Sequence, residues 1–257
     1  MIIALCSLSG APGVTTLALA LAGAWPTETP VRVVEADASG GDVAAWWNLP
    51  LWPGVVDLAA ASRSGQDHDT PPQEFSRFFQ VLPGGLAVCV APPTADRVAG
   101  ALDLLARNPK ALSLTEGVTV VDLGRVYPET PAQELLEAAD VAVVVTSGDV
   151  GHLKRLKDAS HDLEERCARV GAVVIGPSRS AAEIADAVGL PVWAMIPRDV
   201  VSAEVLTGRR EQGRRLHRRP LIRQARHLGR TLTEHAPSTP APRMEDPAVA
   251  TFLGEVP

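Results

Sequence analysis

Ser9-Gly10-Ala11-Pro12-Gly13-Val14-Thr15-Thr16 is the stretch whose reading decides the fold of this chain. It stands between an apolar run, Ile2 to Ser7, and a helix-forming run, Leu17 to Trp25. A glycine turn between a strand and a helix start converges backbone N–H groups on one point, and the helix dipole there favours negative charge. The spacing G-x-x-G-x-T-T is that of a phosphate loop, except that Val14 fills the slot from which a lysine would reach the outer phosphates. The stretch predicts a phosphate cradle, Gly10 to Thr16, without its cation.

The 257 residues suffice for one α/β domain with a sizeable core, assigned to residues 1–235. Residues 236–257, rich in Pro, Ala and Thr and mildly acidic, read as a flexible tail. A net charge of −6 argues against a surface coated for nucleic acid. Three cysteines, Cys6, Cys89 and Cys167, form no C-x-x-C pair and read as buried thiols. The apolar N-terminus lacks a secretory n-region, since the first Arg or Lys is Arg32, and no run reaches the roughly 18 apolar residues of a spanning helix. The expectation is a cytoplasmic protein, with peripheral contact at the inner face of the membrane as a variant.

Short apolar strands alternate with helices along the chain: 2–5, 31–34, 86–90, 118–122, 141–145, 172–175 and 192–196 read as strands. Helices are expected over 15–24, 43–47, from the Pro92-Pro93-Thr94-Ala95-Asp96 start to 107, and over 151–170, 181–188, 204–210 and 220–233. Near-continuous apolar strands between helices predict an α/β three-layer sandwich, a mostly parallel central sheet with helices on both faces. Two carboxylates follow strand runs, Asp37 in Glu35-Ala36-Asp37 and Asp122 after Val118-Thr119-Val120-Val121. Carboxyl ends of parallel strands are where ligands bind in open sheets, and a carboxylate there reaches Mg²⁺ directly or through water. The alternatives are that Asp37, Ser39 or Asp42 caps the helix at 43–47, and that Asp122 starts a turn through Leu123-Gly124.

From Arg209 to Arg230 there are nine arginines and one acid, Glu211. Either this is a solvated face, with Leu221, Ile222, Ala225, Leu228 and Leu232 packing on the sheet, or Arg219, Arg223, Arg226 and Arg230 present a surface to an anionic partner, lipid or nucleic acid.

The combination resembles the MinD/ParA branch of P-loop ATPases, whose deviant loop reads K-G-G-x-G-K-T-T. Glu35-Ala36-Asp37 is similar to the family's D-x-D, Val120-Val121-Asp122-Leu123-Gly124-Arg125 to its Walker B strand, and Ala139-Asp140 through Val145-Thr146 to its A-D-x-x-x-x-V-T strand. Glu183-Ile184, Gly189-Leu190-Pro191-Val192 and Ile196-Pro197-Arg198-Asp199 resemble its E-I, G-x-P-V and I-P-x-D ending. Within the branch the likeness is to the CpaE/TadZ group of Tad-type pilus assembly, which writes Walker B as D-L-P-R; Gly85-Leu86 to Ala91-Pro92-Pro93 resembles its G-L-x-x-x-x-A-P-P segment, although the chain lacks the receiver-like N-terminal domain common in that group.

The resemblance implies ATP or ADP with Mg²⁺ as cofactor, bound by Gly10, Ala11, Pro12, Gly13, Val14, Thr15, Thr16 and Pro197, with Thr15, Asp37 and Asp122 at the metal and Asp37 as the catalytic candidate. It also implies a homodimer and a protein partner belonging to a membrane-associated machine. Ser9 and Val14 stand at both lysine positions of the deviant loop, and Gly176-Pro177-Ser178-Arg179 replaces the family's base-contacting asparagine after Ile175. The expectation is an ATP/Mg-binding spatial regulator or assembly factor, of pilus, secretion or cell-pole type, with weak or no hydrolysis. The alternatives are a pseudo-ATPase scaffold with no nucleotide, and a ParA-like DNA partition factor. Nitrogenase-reductase chemistry is disfavoured, because the cysteines do not follow strand ends where cluster ligands are needed.

Overall fold

A computed structural model describes residues 1–10, 13–64, 76–113 and 117–234. The expected tail, 236–257, and loop residues Ala11 and Pro12 lie outside the described residues. Eight strands form one sheet in the order β3-β4-β2-β5-β1-β6-β7-β8, where β1 is Ile2–Ser7, β2 Val31–Glu35, β3 Gln80–Val81, β4 Ala87–Cys89, β5 Val118–Arg125, β6 Val141–Ser147, β7 Val170–Ile175 and β8 Val192–Ile196. All neighbours are parallel except β3, which pairs antiparallel with β4.

Helices cover both faces, as the uninterrupted apolar strands require. On one face lie α1 (Val14–Gly23), α2 (Val43–Trp47) and α9 (Pro220–Glu234); on the other α3 (Val55–Ser64), α4 (Ala95–Arg107), α5 (Pro131–Glu137), α6 (Val150–Arg166) and α7 (Ala181–Val188). The short α8 (Val200–Leu206) leads from β8 towards α9. Helix α1 is apolar all round because it lies between the sheet and α9: Leu17, Leu19 and Leu21 are each at most 1% exposed. Each such leucine contributes about 1.5–3 kcal/mol of burial. On α9, Leu221, Ala225, Leu228 and Leu232 are buried and Ile222 is half-buried. All three cysteines are free and buried.

Several boundaries differ from the sequence reading, among them the helix expected over 204–210, which is α8, Val200–Leu206. Strand β5 does not stop at Asp122 but runs to Arg125, passing a bulge opposite β1 between Leu5 and Ser7. Asp122 is therefore inside its strand, opposite Glu35, the last residue of β2. Helix α6 ends at Arg166 rather than near 170, because Val170 is taken into the sheet beside Ala142 and the backbone is already extended at Cys167. The two-residue β3 is too short to have a periodicity.

Arg219 is not part of a free anionic-partner surface. Its Nε donates to Asp199 Oδ1 at 3.2 Å, and its guanidinium forms a second, shorter contact with the same oxygen. Asp199 caps α8 with its side chain 1% exposed, and a buried carboxylate needs a counter-charge. Burial alone would raise its pKa; hydrogen bonds from Arg219, Ser202 and the Leu221 amide outweigh that and hold it at about 2.

Candidate functional site

Strand β1 delivers the chain to the loop at the carboxyl edge of the sheet. Ser7 Oγ bonds to the carbonyls of Gly10 (3.2 Å) and Gly124 (3.4 Å), tying the loop to β5. Gly10 and Gly13 have φ of +44° and +85°, which side chains disfavour. Gly13 is the N-cap of α1, and no side chain caps the helix. Among the described residues the first-turn amides thus have no intrahelical or side-chain acceptor, the condition under which a helix start receives an anion. Val14 points into the core at 1% exposure and Ser9 is 6% exposed, so both positions that carry lysine in the deviant loop hold small, inward-packed side chains.

Three carboxylates stand beside this loop. Asp122 accepts from the Gly124 amide at 3.0 Å. Burial raises its pKa to about 7; the nearby Thr15 hydroxyl opposes that rise, and the charges of Glu35 and Asp37 add to it. Asp37 accepts from the Ser39 amide at 2.7 Å, and its carboxylate rests against the bare Cα of Gly124; burial again raises its pKa. Glu35 is fully engaged with backbone: Oε1 takes the amides of Asp42 and Val43 at 2.9 Å, and Oε2 takes that of Ala91 at 3.0 Å. Burial raises its pKa too, against these three bonds. Glu35, not the side chain of Asp42, satisfies the start of α2, a role that sequence reasoning missed because it runs backwards over seven residues.

The Thr15 hydroxyl and Asp122 carboxylate are neighbouring hard oxygen donors, which suits Mg²⁺. Among the described residues no three Asp, Glu, His or Cys side chains form a metal cage. That also suits Mg²⁺, which usually keeps waters and is held by one or two carboxylates plus substrate phosphates.

Pro197 meets the loop despite its distance in sequence: Gly13, Thr16, Ile175, Pro197 and Arg198 line one cavity of about 200 Å³. Gly176, at φ +90°, leaves room for the Arg198 side chain, whose Nε lies 3.4 Å from where a Cβ would stand. His152, on the first turn of α6, lies near Gly10 and bonds through Nδ1 to Ser147 Oγ at 3.1 Å. No motif marked Arg198 or His152. Arg223, Arg226 and Arg230 are exposed on α9, outside this cavity and without an ion-pair partner among the described residues.

An eight-strand sheet with a glycine loop after β1 and a carboxylate on the adjacent β5 can be compared with solved structures. A ParA family ATPase from Chlorobium tepidum TLS superposes with TM-score 0.69 at 18% identity, covering 88% of this chain and 98% of that one. The chain has the MinD/ParA fold. The septum site-determining protein MinD complexed with Mg-ADP, from Pyrococcus horikoshii OT3, gives TM-score 0.66 at 16% identity over 90% of this chain and 95% of that one. The Cyanothece McdA(D38A)–ATP complex gives TM-score 0.64 at 16% identity, covering 89% and 96%. No protein-family model matches the sequence, and a search of curated proteins finds no relative. At such identities the likeness extends to the fold alone. Among the described residues no helix is long and apolar enough to cross a membrane.

Proposed function

We propose that this chain is a nucleotide-responsive spatial regulator or assembly factor of the MinD/ParA type, which binds ATP or ADP with Mg²⁺ and turns it over weakly or not at all. The observation that carries the reading is the glycine turn at the α1 start, where Gly13 offers no side-chain cap, together with a Thr15 hydroxyl near enough to lower the pKa of the buried Asp122 carboxylate. In this reading the amides of Gly10 and residues 13–16 hold the phosphates, Thr15 and Asp122 hold the metal, Asp37 stands beside it, and Gly13, Thr16 and Pro197 bound the nucleoside end. Mg²⁺, when bound, supplies charge neutralisation for the phosphates and favours the ionised form of the neighbouring carboxylates, whose pKa burial raises.

Binding survives the lysine losses better than hydrolysis does. Each missing charge-assisted contact costs about 1.5–3 kcal/mol, or about one to two decades of affinity. Phosphoryl transfer depends on stabilising charge in the transition state, which is where both missing cations would act. The parent family's exchange of a lysine between subunits is unavailable to Ser9, so a dimer of this chain rests on other contacts. A pilus-assembly role of the CpaE/TadZ kind remains part of the proposal, resting on the sequence resemblance.

Titration with a fluorescent ATP analogue, with Mg²⁺ and with EDTA, tests the reading. Saturable binding is expected with Mg²⁺ and about tenfold weaker binding for Thr15→Val, a loss confined to the Mg²⁺ arm. No saturable binding at millimolar nucleotide overturns the reading in favour of a nucleotide-free scaffold. Phosphate release at about 1 s⁻¹ or faster, within the ordinary enzyme range, overturns the weak-turnover part. The exposed row Arg223, Arg226 and Arg230 supports a second reading, contact with a phosphate-rich polymer. A DNA mobility shift that is abolished when all three are changed to Ala is its test, and an unchanged shift removes it.

A further inference from the structure

We infer that residues 244–257 of this chain dock, within the same molecule, into a groove on the α1/α9 face of the sheet. The groove encloses about 780 Å³, within the roughly 300–1,000 Å³ typical of binding sites. Its walls are apolar: Leu19 of α1, Leu82 and Leu86 flanking the β3–β4 turn, Leu216 and Ile222 from the approach to α9, and Trp47 at the end of α2. The groove is built rather than incidental. Trp47 Nε1 donates to the Leu206 carbonyl at 3.1 Å, and Gly208, at φ +70°, packs its bare Cα against the Trp47 ring, where a Cβ would lie 3.4 Å from ring atoms. Gly84 at the hairpin tip faces Gln212 and draws the opposite walls together.

The rim selects the charge of the occupant. Residues 209–218 carry five arginines and one acid, Glu211, and Arg210 is already paired with Glu204 at 2.7 Å. Arg214 lines the groove with no acidic partner among the described residues. An apolar occupant with acidic flanks is what such a site takes. Residues 244–257, Met244-Glu245-Asp246-Pro247-Ala248-Val249-Ala250-Thr251-Phe252-Leu253-Gly254-Glu255-Val256-Pro257, contain three acids and no cation. Val249, Phe252 and Leu253 have the i, i+3, i+4 spacing of a single helical face, the pattern read by apolar grooves.

The tether allows it. Helix α9 ends at Glu234, and its Gly229 packs on Trp25 and Pro26, just past Gly23, which lines the groove. The end of α9 lies about 18 Å along the helix from Ile222, its groove-lining residue. Residues 235–243 span at most about 30 Å, and a linker this short gives an effective concentration on the order of millimolar.

Hydrogen exchange on the full chain tests the inference at segments 82–86 and 206–217. Phe252→Ser/Leu253→Ser, and separately Glu245→Arg/Asp246→Arg, should make both segments exchange roughly tenfold faster, with β1 and β5 unchanged. Arg214→Glu should do the same, and combining it with Glu245→Arg/Asp246→Arg should restore protection. Both tail variants change residues outside 1–234, so equal exchange in them and the wild type overturns the docking. Protection that vanishes on tenfold dilution overturns its intramolecular form.

Discussion

Gly124→Ala should loosen the carboxylate side of the site, and its cost can be worked from distances. A Cβ at residue 124 would stand 1.7 Å from Asp37 Oδ2, 2.1 Å from its Cγ and 2.8 Å from its Cβ, so Asp37 has to move. The backbone at φ +55° adds about 1–2 kcal/mol for any residue but glycine. Moving Asp37 breaks its 2.7 Å bond from the Ser39 amide, and a hydrogen bond to a charged group is worth about 1.5–3 kcal/mol. Rehydration of the displaced carboxylate returns part of that, leaving a net loss of about 2–4 kcal/mol. Urea unfolding followed by circular dichroism should show the midpoint falling by about 1 M at an m-value near 3 kcal/mol/M. Asp37→Ala removes the two closest atoms, so the double variant should be more stable than the sum of the single losses by about 1–2 kcal/mol, leaving the backbone term. A single variant within about 0.5 kcal/mol of wild type, or a cycle additive to that margin, would refute the reasoning.

Two further perturbations probe the same cluster. Asp122 has a folded pKa of about 7 against an ordinary 3.8, so between pH 4 and 7 the folded chain binds more protons than the unfolded one, and stability contributed by this group is lost as pH rises through 7. Asp122→Asn should flatten the stability profile in that window and raise stability above pH 7, by at most about 4 kcal/mol at about 1.36 kcal/mol per pH unit; a profile parallel to wild type would refute the assignment. Calorimetry in buffers of different ionisation enthalpy should detect proton release when Mg-nucleotide binds wild type and less for Asp122→Asn. Glu35→Gln replaces one acceptor oxygen by an NH₂ that faces a backbone amide, and should cost about 2–4 kcal/mol in chemical unfolding; an unchanged midpoint would show that the clasp is not needed.

Much of the sheet was legible because its strands are buried on both faces and therefore read as continuous apolar runs, as in Val141 to Val145. The edge strand β3 has two residues and no such pattern, and it is held by pairing with β4. The glycine loop was legible because its backbone needs are local. Whether Asp122 ends a strand or starts a turn was not, since the extension to Arg125 comes from pairing with β1. The cap on α2 and the counter-charge to the α8 cap show the same limit: Glu35 reaches Asp42 across 7 residues and Arg219 reaches Asp199 across 20, distances that local cap patterns do not encode.

By itself the sequence determined the alternation of buried strands and helices, the turn at Gly10 and Gly13, and the absence of lysine from that turn, since each depends on side-chain type and near-neighbour spacing. Only the tertiary structure decided that Thr15 neighbours Asp122, that Asp37 leans on Gly124, that Pro197 shares a cavity with Thr16, and that Arg219 serves Asp199. Those contacts join residues from separate strands and helices, and the parallel sheet brings them together by placing its strand ends along one edge.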